Sequence, residues 1–164
     1  MVPINVGDIQ DYIDMKRLII HDDDNSDNDD DKDKTKLKVI RMNDLIEAGM
    51  TKVNKVKFGI KLLSKGKERF RTPIKIEVSR ASREAIECIE NVGGQVKTVH
   101  YTRLSLRALL KPHKFAGGIL PKNPLPPPRL MPYYTDYDNR GYLSPQVQKR
   151  DLLEKSNKED LKLK

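Results

Sequence analysis

Thirteen basic side chains are the residues best equipped to act on a partner: Lys61, Lys65, Lys67, Arg69, Arg71, Arg80, Arg83, Arg103, Arg107, Lys111, Lys114, Lys122 and Arg129. Phe115, Tyr133, Tyr134 and Tyr137 are interleaved with or follow them. Guanidinium groups fork onto phosphate oxygens through paired N–H donors, and ammonium groups supply point charges. Aromatic faces stack on unpaired bases or on ribose, so Tyr133 and Tyr134 join the cations as candidate RNA contacts. The chemistry on offer is recognition of a polyanion.

Bond-making chemistry has no comparable support. The sequence holds no GxxxxGK[ST] phosphate loop, no HExxH and no GxSxG. His21, His100 and His113 are scattered, and the single cysteine, Cys88, lies within an apolar stripe. Asp136 and Asp138 have the spacing of a carboxylate pair, but in a proline-rich run they read as turn formers. The Asp-rich run invites comparison with a calcium loop, which needs Gly at its sixth position and Glu at its twelfth. Counted from Asp22, those places hold Asp27 and Asp33, so a solvated loop is the better reading. No catalytic residue, metal ligand, cofactor or small-molecule substrate is therefore expected.

These cations need elements to hold them. Residues 8–20 carry Ile9, Tyr12, Ile13 and Lys16 at helical spacing, with Asp8 as N-cap. Residues 21–36 form an Asp-rich loop expected to be disordered, since nothing in it can enter a core. A globular α/β unit is expected over 37–111. It holds an extended run at 37–42, a two-turn helix capped by Asn43 and stopped by Gly49, and strands at 59–63 and 74–78. Between those strands lies a basic turn in which Gly66 takes a positive φ. In the helix over 82–92, Ala85, Cys88, Ile89 and Val92 form one buried stripe, with Glu84, Glu87 and Glu90 outside and Gly93-Gly94 as the stop. A third strand follows at 95–101, giving a strand–helix–strand unit with some parallel pairing. Residues 103–111 form a helix with Leu106, Leu109 and Leu110 on one side and Arg103, Arg107 and Lys111 as a basic stripe beside it, ended by Pro112.

Eight of the ten prolines fall between 112 and 145, which favours an extended polyproline-like strap. Residues 146–164 are a charged, weakly helical tail. The fold class is α/β: a small mixed sheet with packed helices, plus the C-terminal strap.

The 164 residues carry 32 Lys and Arg against 24 Asp and Glu, a net +8. That figure hides a division. Residues 1–34 hold four basic and eleven acidic side chains, or −7, and the remainder holds twenty-eight and thirteen, or +15. An acidic leader thus precedes a strongly basic body, and such a body favours nucleic acid because neutralised phosphates release counterions. No stretch approaches the ~18 apolar residues of a membrane span. One cysteine makes neither an internal disulfide nor a multi-cysteine zinc site. A small, polar, intracellular protein with no membrane partner is expected.

Several blocks resemble a known family. GIKLLSKGK at 59–67, TPIKIEVSRAS at 72–82, Ala85-Ile86, GGQV at 93–96 and YTRLSLRALL at 101–110 resemble the globular half of the large-subunit ribosomal protein fifteen family. PPPRLMPYYTD at 126–136 and NRGYLSP at 139–145 resemble its mitochondrial branch, bacterial forms ending soon after the third strand and the following helix. The helix at 9–18 and residues 42–49 also fit.

The resemblance implies a structural protein of the mitochondrial large ribosomal subunit, packed on large-subunit rRNA and neighbouring ribosomal proteins. Two departures are expected to matter. The family's Gly-, Arg- and Lys-rich N-terminal extension does not precede Val2, which reads as truncation, transfer to another polypeptide or loss. The acidic start also lacks the Arg-rich character of a mitochondrial presequence. The Asp-rich run reads as an insertion held away from rRNA by charge repulsion. The competing class is a protein–protein adaptor that uses the proline-rich strap and the acidic loop.

Overall fold

A computed structural model of the chain describes residues 1–20, 39–115 and 119–162, with the side chains of residues 155 and 157–162 outside the description. The Asp-rich loop expected over 21–36 lies outside the described residues.

Among the described residues, six short strands form two sheets. The first takes strands β1 (Val2–Asn5), β3 (Ile60–Leu63) and β5 (Arg80–Ala81) in that order, and the second takes β2 (Val39–Ile40), β4 (Lys75–Val78) and β6 (Gln95–Thr98). Consecutive strands therefore go alternately to one sheet and the other. Every pairing is parallel: Val2 faces Ile60, Leu62 faces Ala81, Ile40 faces Ile76 and Val78 faces Thr98. The α/β class holds, but the single mixed sheet is replaced by two parallel ones. Parallel neighbours require crossovers, and this chain supplies them as helices and 3₁₀ turns rather than hairpins.

Alternation decides which strand face is inward. Ile60 and Leu62 on β3, Ile76 and Val78 on β4, and Val96 and Thr98 on β6 are buried. Helix α3 (Arg83–Asn91) covers this core with Ala85, Ile86 and Ile89, while Cys88 and Val92 sit half-buried at its margin. Burial raises the Cys88 thiol pKa, which keeps it protonated. Helix α4 (Arg103–Leu110) contributes Leu106.

The first twenty residues differ from the helix expected over 8–20. Val2 and Ile4 build the edge strand β1, where Pro3 is tolerated because an edge position need not donate to a ladder. Helix α1 (Val6–Asp14) then starts earlier than expected; Asp8 lies inside it and accepts from Asn5 Nδ2 at 2.9 Å. It ends where Lys16 turns left-handed at φ 56° and Arg17 N–H bonds back to Tyr12 O at 3.0 Å. Helix α2 (Met42–Glu47) is likewise started by Asp44, whose carboxylate accepts from Arg41 N–H at 2.6 Å, and not by Asn43.

One junction joins the sheets. Ser79 alone separates β4 from β5, so the chain crosses between sheets at a single buried residue. Its N–H bonds Ile60 O at 3.2 Å, and a Cβ on Gly59 would stand only 1.8 Å from its Oγ. Gly59 keeps φ at 85°, so neither its backbone nor this packing admits a side chain.

The segment expected to be an extended strap over 112–145 is largely packed. A 3₁₀ turn (Pro112–Lys114) follows α4, and residues 121–127 are without regular structure. Helix α5 (Met131–Thr135) then places Tyr134 in the interior. Gly141 forms a parallel bridge to Thr98, with Thr98 N–H donating to Arg140 O at 2.9 Å, so this segment extends the second sheet. Arg140 grips Glu90 of α3 through two 2.6 Å bonds. Helix α6 (Pro145–Lys162) covers the outer face of the second sheet: Val147 is buried, Glu154 pairs with Lys75 at 3.2 Å and Asp151 pairs with Lys97.

Candidate nucleic-acid interface

The cations expected to contact RNA fall into separate groups. The group with the best geometry is built on α4. Thr102 caps this helix, its Oγ1 accepting from Ser105 N–H at 3.3 Å while Ser105 Oγ accepts from Thr102 N–H at 2.8 Å. Leu106 and Ala108 anchor the inner face, leaving Arg103 and Arg107 exposed one turn apart. Lys111 leaves the helix at φ −139°, and the 3₁₀ turn beyond it presents Lys114 beside the same surface.

Facing α4 is a 3₁₀ turn, Val53–Lys55, and the two enclose an open groove of about 330 Å³. Its floor is apolar, formed by Val53, Val56, Leu106 and Leu110. Its other described lining residues are Asn54, Lys57, Arg103, Arg107, Lys111 and Lys114, with no carboxylate among them. Lys111 Nζ donates to Asn54 Oδ1 at 3.4 Å, tying the two walls together. Five like charges around one concavity, with no acid among these residues to neutralise them, focus a positive potential there.

The second group surrounds the 64–71 turn, where Gly66 takes the expected positive φ, 80°. Gly7 and Gly66 let α1 approach this turn closely, with Gly7 N–H bonding Lys65 O at 3.1 Å. Buried Gln10 accepts from the N–H groups of Arg71 and Thr72, each at 3.2 Å. This docking brings cations to acids. Arg69 meets Asp11 at 3.3 Å, Arg71 meets Asp14 at 3.3 Å and Lys67 meets Glu84 at 3.8 Å. Such exposed pairs are weak, about 0–1 kcal/mol, but they remove the uncompensated charge that distinguishes the groove. Lys61 and Lys65 are exposed nearby in sequence, on β3 and in the turn.

The remaining expected contacts are dispersed. Arg83 pairs with Asp138 at 3.9 Å, and Lys122 and Arg129 are exposed on the strap. Tyr133 and Tyr134 are not open stacking platforms. Tyr134 is 1% exposed, with ring edges against His100, Tyr133 and Tyr142. Its hydroxyl donates to Ser79 O at 3.0 Å, and burial raises its pKa, keeping that donor protonated. Tyr133 hydroxyl lies 3.3 Å from both the N–H and the carbonyl oxygen of Ala81, and the Arg80 guanidinium covers its ring at 4.8 Å. Both rings fill the protein's own interior because the strap folds back.

Asn54 and Lys57 were not among the sequence candidates. The signal was present in TKVNKVK at 51–57, where Val53 and Val56 repeat at 3₁₀ spacing between lysines. Asp136 acts as a turn former, accepting from Asp138 N–H at 3.1 Å and Asn139 Nδ2 at 2.7 Å. Among the described residues, no group of three or more His, Cys, Asp or Glu is arranged to hold a metal ion. No described helix is long and apolar enough to cross a membrane.

Residues 3–97 match the family described as ribosomal proteins 50S-L15 and 50S-L18e together with their 60S counterpart. The chain belongs to this ribosomal-protein family. The family's description names ribosomal proteins and no enzyme. The chain is 40% identical over 89 residues to large ribosomal subunit protein uL15m of Danio rerio, covering 53% of this chain and 30% of that one. With uL15m of Schizosaccharomyces pombe it shares 34% over 142 residues, covering 86% and 48%. With uL15m of Neurospora crassa it shares 46% over 74 residues, covering 45% and 23%. The matched part of the chain thus spans less than half the length of each of these relatives. The match to the family ends at Lys97, before α4, so the groove is completed by residues beyond the matched segment.

Proposed function

We propose that this chain is a non-catalytic structural constituent of the large ribosomal subunit of mitochondria, held in place by large-subunit rRNA and neighbouring ribosomal proteins. Family membership and the shared name of the uL15m relatives support the assignment to that particle. The observation that carries the RNA contact is the groove of Lys57, Arg103, Arg107, Lys111 and Lys114 with no carboxylate among its described lining residues. Phosphate contacts position a protein on RNA, and a cluster of this kind supplies them. The Asp-rich segment at 21–36 is proposed to stay away from the rRNA backbone.

The test is charge reversal of Arg103, Arg107 and Lys111 together. The folded variant should be lost from large-subunit particles in a sucrose gradient, while its melting temperature stays near that of the parent. Undiminished co-sedimentation would count decisively against rRNA binding through this face.

One observation favours a second reading, a protein–protein adaptor. Ile119, Leu120 and Leu125 on the strap are 80%, 48% and 67% exposed, and aliphatic side chains are suited to an apolar protein groove. If ribonuclease treatment left the chain's partners bound, this reading would replace the first.

A further inference from the structure

Building on the RNA-binding reading, we infer that the groove between the Val53–Lys55 turn and α4 receives one unpaired RNA nucleotide, its base on the apolar floor and its phosphates on the basic rim. Three features of the groove lead there.

The first is its shape and lining. A paired A-form stem presents its backbone phosphates and 2′-hydroxyls as an outer surface, and gains nothing from a concave floor of Val53, Val56, Leu106 and Leu110. An unstacked base gains what a duplex cannot, because its faces leave water for apolar surface. At about 330 Å³, the groove sits at the lower end of sites that enclose small organic molecules, ~300–1,000 Å³. That is room for a base and too little for a helix.

The second is the arrangement of charge. Arg103 and Arg107 stand one helical turn apart on α4, about 5–6 Å between their Cβ atoms, and Lys111 and Lys114 continue the line. A row of cations along one wall follows a strand. A nucleotide lying across the floor then has its flanking phosphates on that wall.

The third is Asn54. Its side-chain amide is the one neutral polar group among the described lining residues. Lys111 Nζ holds Oδ1 at 3.4 Å, which orients the amide. The Nδ2 donors remain available, with a second lone pair on Oδ1, so the group can read a base edge with a donor and an acceptor together.

The experiment compares two RNA hairpins bound to the full chain by fluorescence anisotropy: one with a fully paired stem, and the same stem with a single unpaired adenosine. The bulged hairpin should bind roughly tenfold tighter, the scale of one seated base. Asn54→Ala, at an exposed position that should not disturb folding, should bring the two affinities together without weakening the paired hairpin. Arg107→Glu should weaken both. Equal affinity of the parent chain for the two hairpins overturns the inference while leaving RNA binding intact. A preference that survives Asn54→Ala overturns it by placing the base elsewhere. Failure of the chain to bind either hairpin at low salt overturns the RNA reading and this inference together.

Discussion

The hydroxyl of Tyr134 donates to the carbonyl of Ser79 at 3.0 Å across 55 residues of chain. Ser79 is the single residue between β4 and β5, so this bond satisfies a buried carbonyl where the backbone crosses between sheets. A buried acceptor left without its donor is penalised by desolvation, about 1–3 kcal/mol. Tyr134→Phe should therefore lower unfolding free energy by ~1–3 kcal/mol in urea denaturation, with RNA affinity unchanged. An unaltered urea midpoint would show that Ser79 O finds water instead.

Two glycines with nearly equal backbone angles should respond differently to alanine. Gly59 and Gly93 take φ of 85° and 87°, but a Cβ at Gly59 meets Ser79 Oγ at 1.8 Å while one at Gly93 meets nothing within 4 Å. Gly93→Ala should lose only the left-handed strain, roughly 1–2 kcal/mol. Gly59→Ala adds overpacking of a further ~1–3 kcal/mol. Thermal melting of the pair measures the difference, and similar losses at both sites would rule out the packing argument at Ser79.

The pairing of Arg140 with Glu90 should be worth more than an exposed salt bridge. It is bidentate at 2.6 Å, half-buried, and reinforced by an Arg140 N–H to Tyr137 O bond at 2.7 Å. Bonding to Glu90 raises the guanidinium pKa further, so the charge is present at any pH the fold survives. Arg140→Ala should cost about 2 kcal/mol or more, since it strands a half-buried carboxylate. Limited proteolysis should then cut the segment around 137–141 faster than in the parent, and identical digestion kinetics would contradict the clamp.

Stability should fall on mild acidification. His100 is buried and desolvation lowers its pKa from 6.5, so the unfolded chain binds its proton more readily than the folded one. The contribution is complete above the unfolded value and is lost as pH falls from about 6.5 through the lowered folded value. His100→Gln should flatten unfolding free energy across that interval. An equally steep profile in the variant would assign the dependence to other groups.

The two groups of cations should also separate in RNA binding. Arg69 and Arg71 are paired with Asp11 and Asp14, whereas the described lining of the groove has no acid. Neutralising Arg103 and Arg107 should reduce the log–log salt slope by about 0.7–0.9 per lost phosphate contact. Neutralising Arg69 and Arg71 should change it by less. Equal changes from both double variants would mean that the ion pairs with α1 do not withhold charge from RNA.

Most of the central α/β unit was legible from local pattern. The strict alternation in Lys75-Ile76-Glu77-Val78 and the helical stripe with its Gly93-Gly94 stop each carry their own period, and both elements stand near the expected limits. Elements defined by distant partners were not legible. Val-Pro-Ile-Asn has too few residues to show a period and becomes β1 only because Ile60–Leu63 lies alongside it. Arg80-Ala81 is shorter still. The proline count suggested an extended strap, but Tyr134 is drawn inward by a carbonyl far away in sequence, which composition does not register. The same division holds for the groove. Arg103, Arg107 and Lys111 announce themselves by four-residue spacing, whereas Asn54 and Lys57 reach them only through folding.

The alternate dealing of strands to two sheets governs the order in which the chain can be completed as it leaves the ribosome that makes it. β1 waits for residue 60 before it has a neighbour, and the second sheet stays open until residue 98 has emerged. No early fragment holds a finished sheet, so there is no halfway product on which to rest. Folding is deferred and then falls due for both sheets almost together, within the twenty residues from Arg80 to Val99. Before that, Val2 and Ile4 remain open apolar edges, a species prone to aggregation unless shielded. A long insertion between α1 and β2 adds little to this delay in free-energy terms, because closing a loop grows harder only with the logarithm of its length.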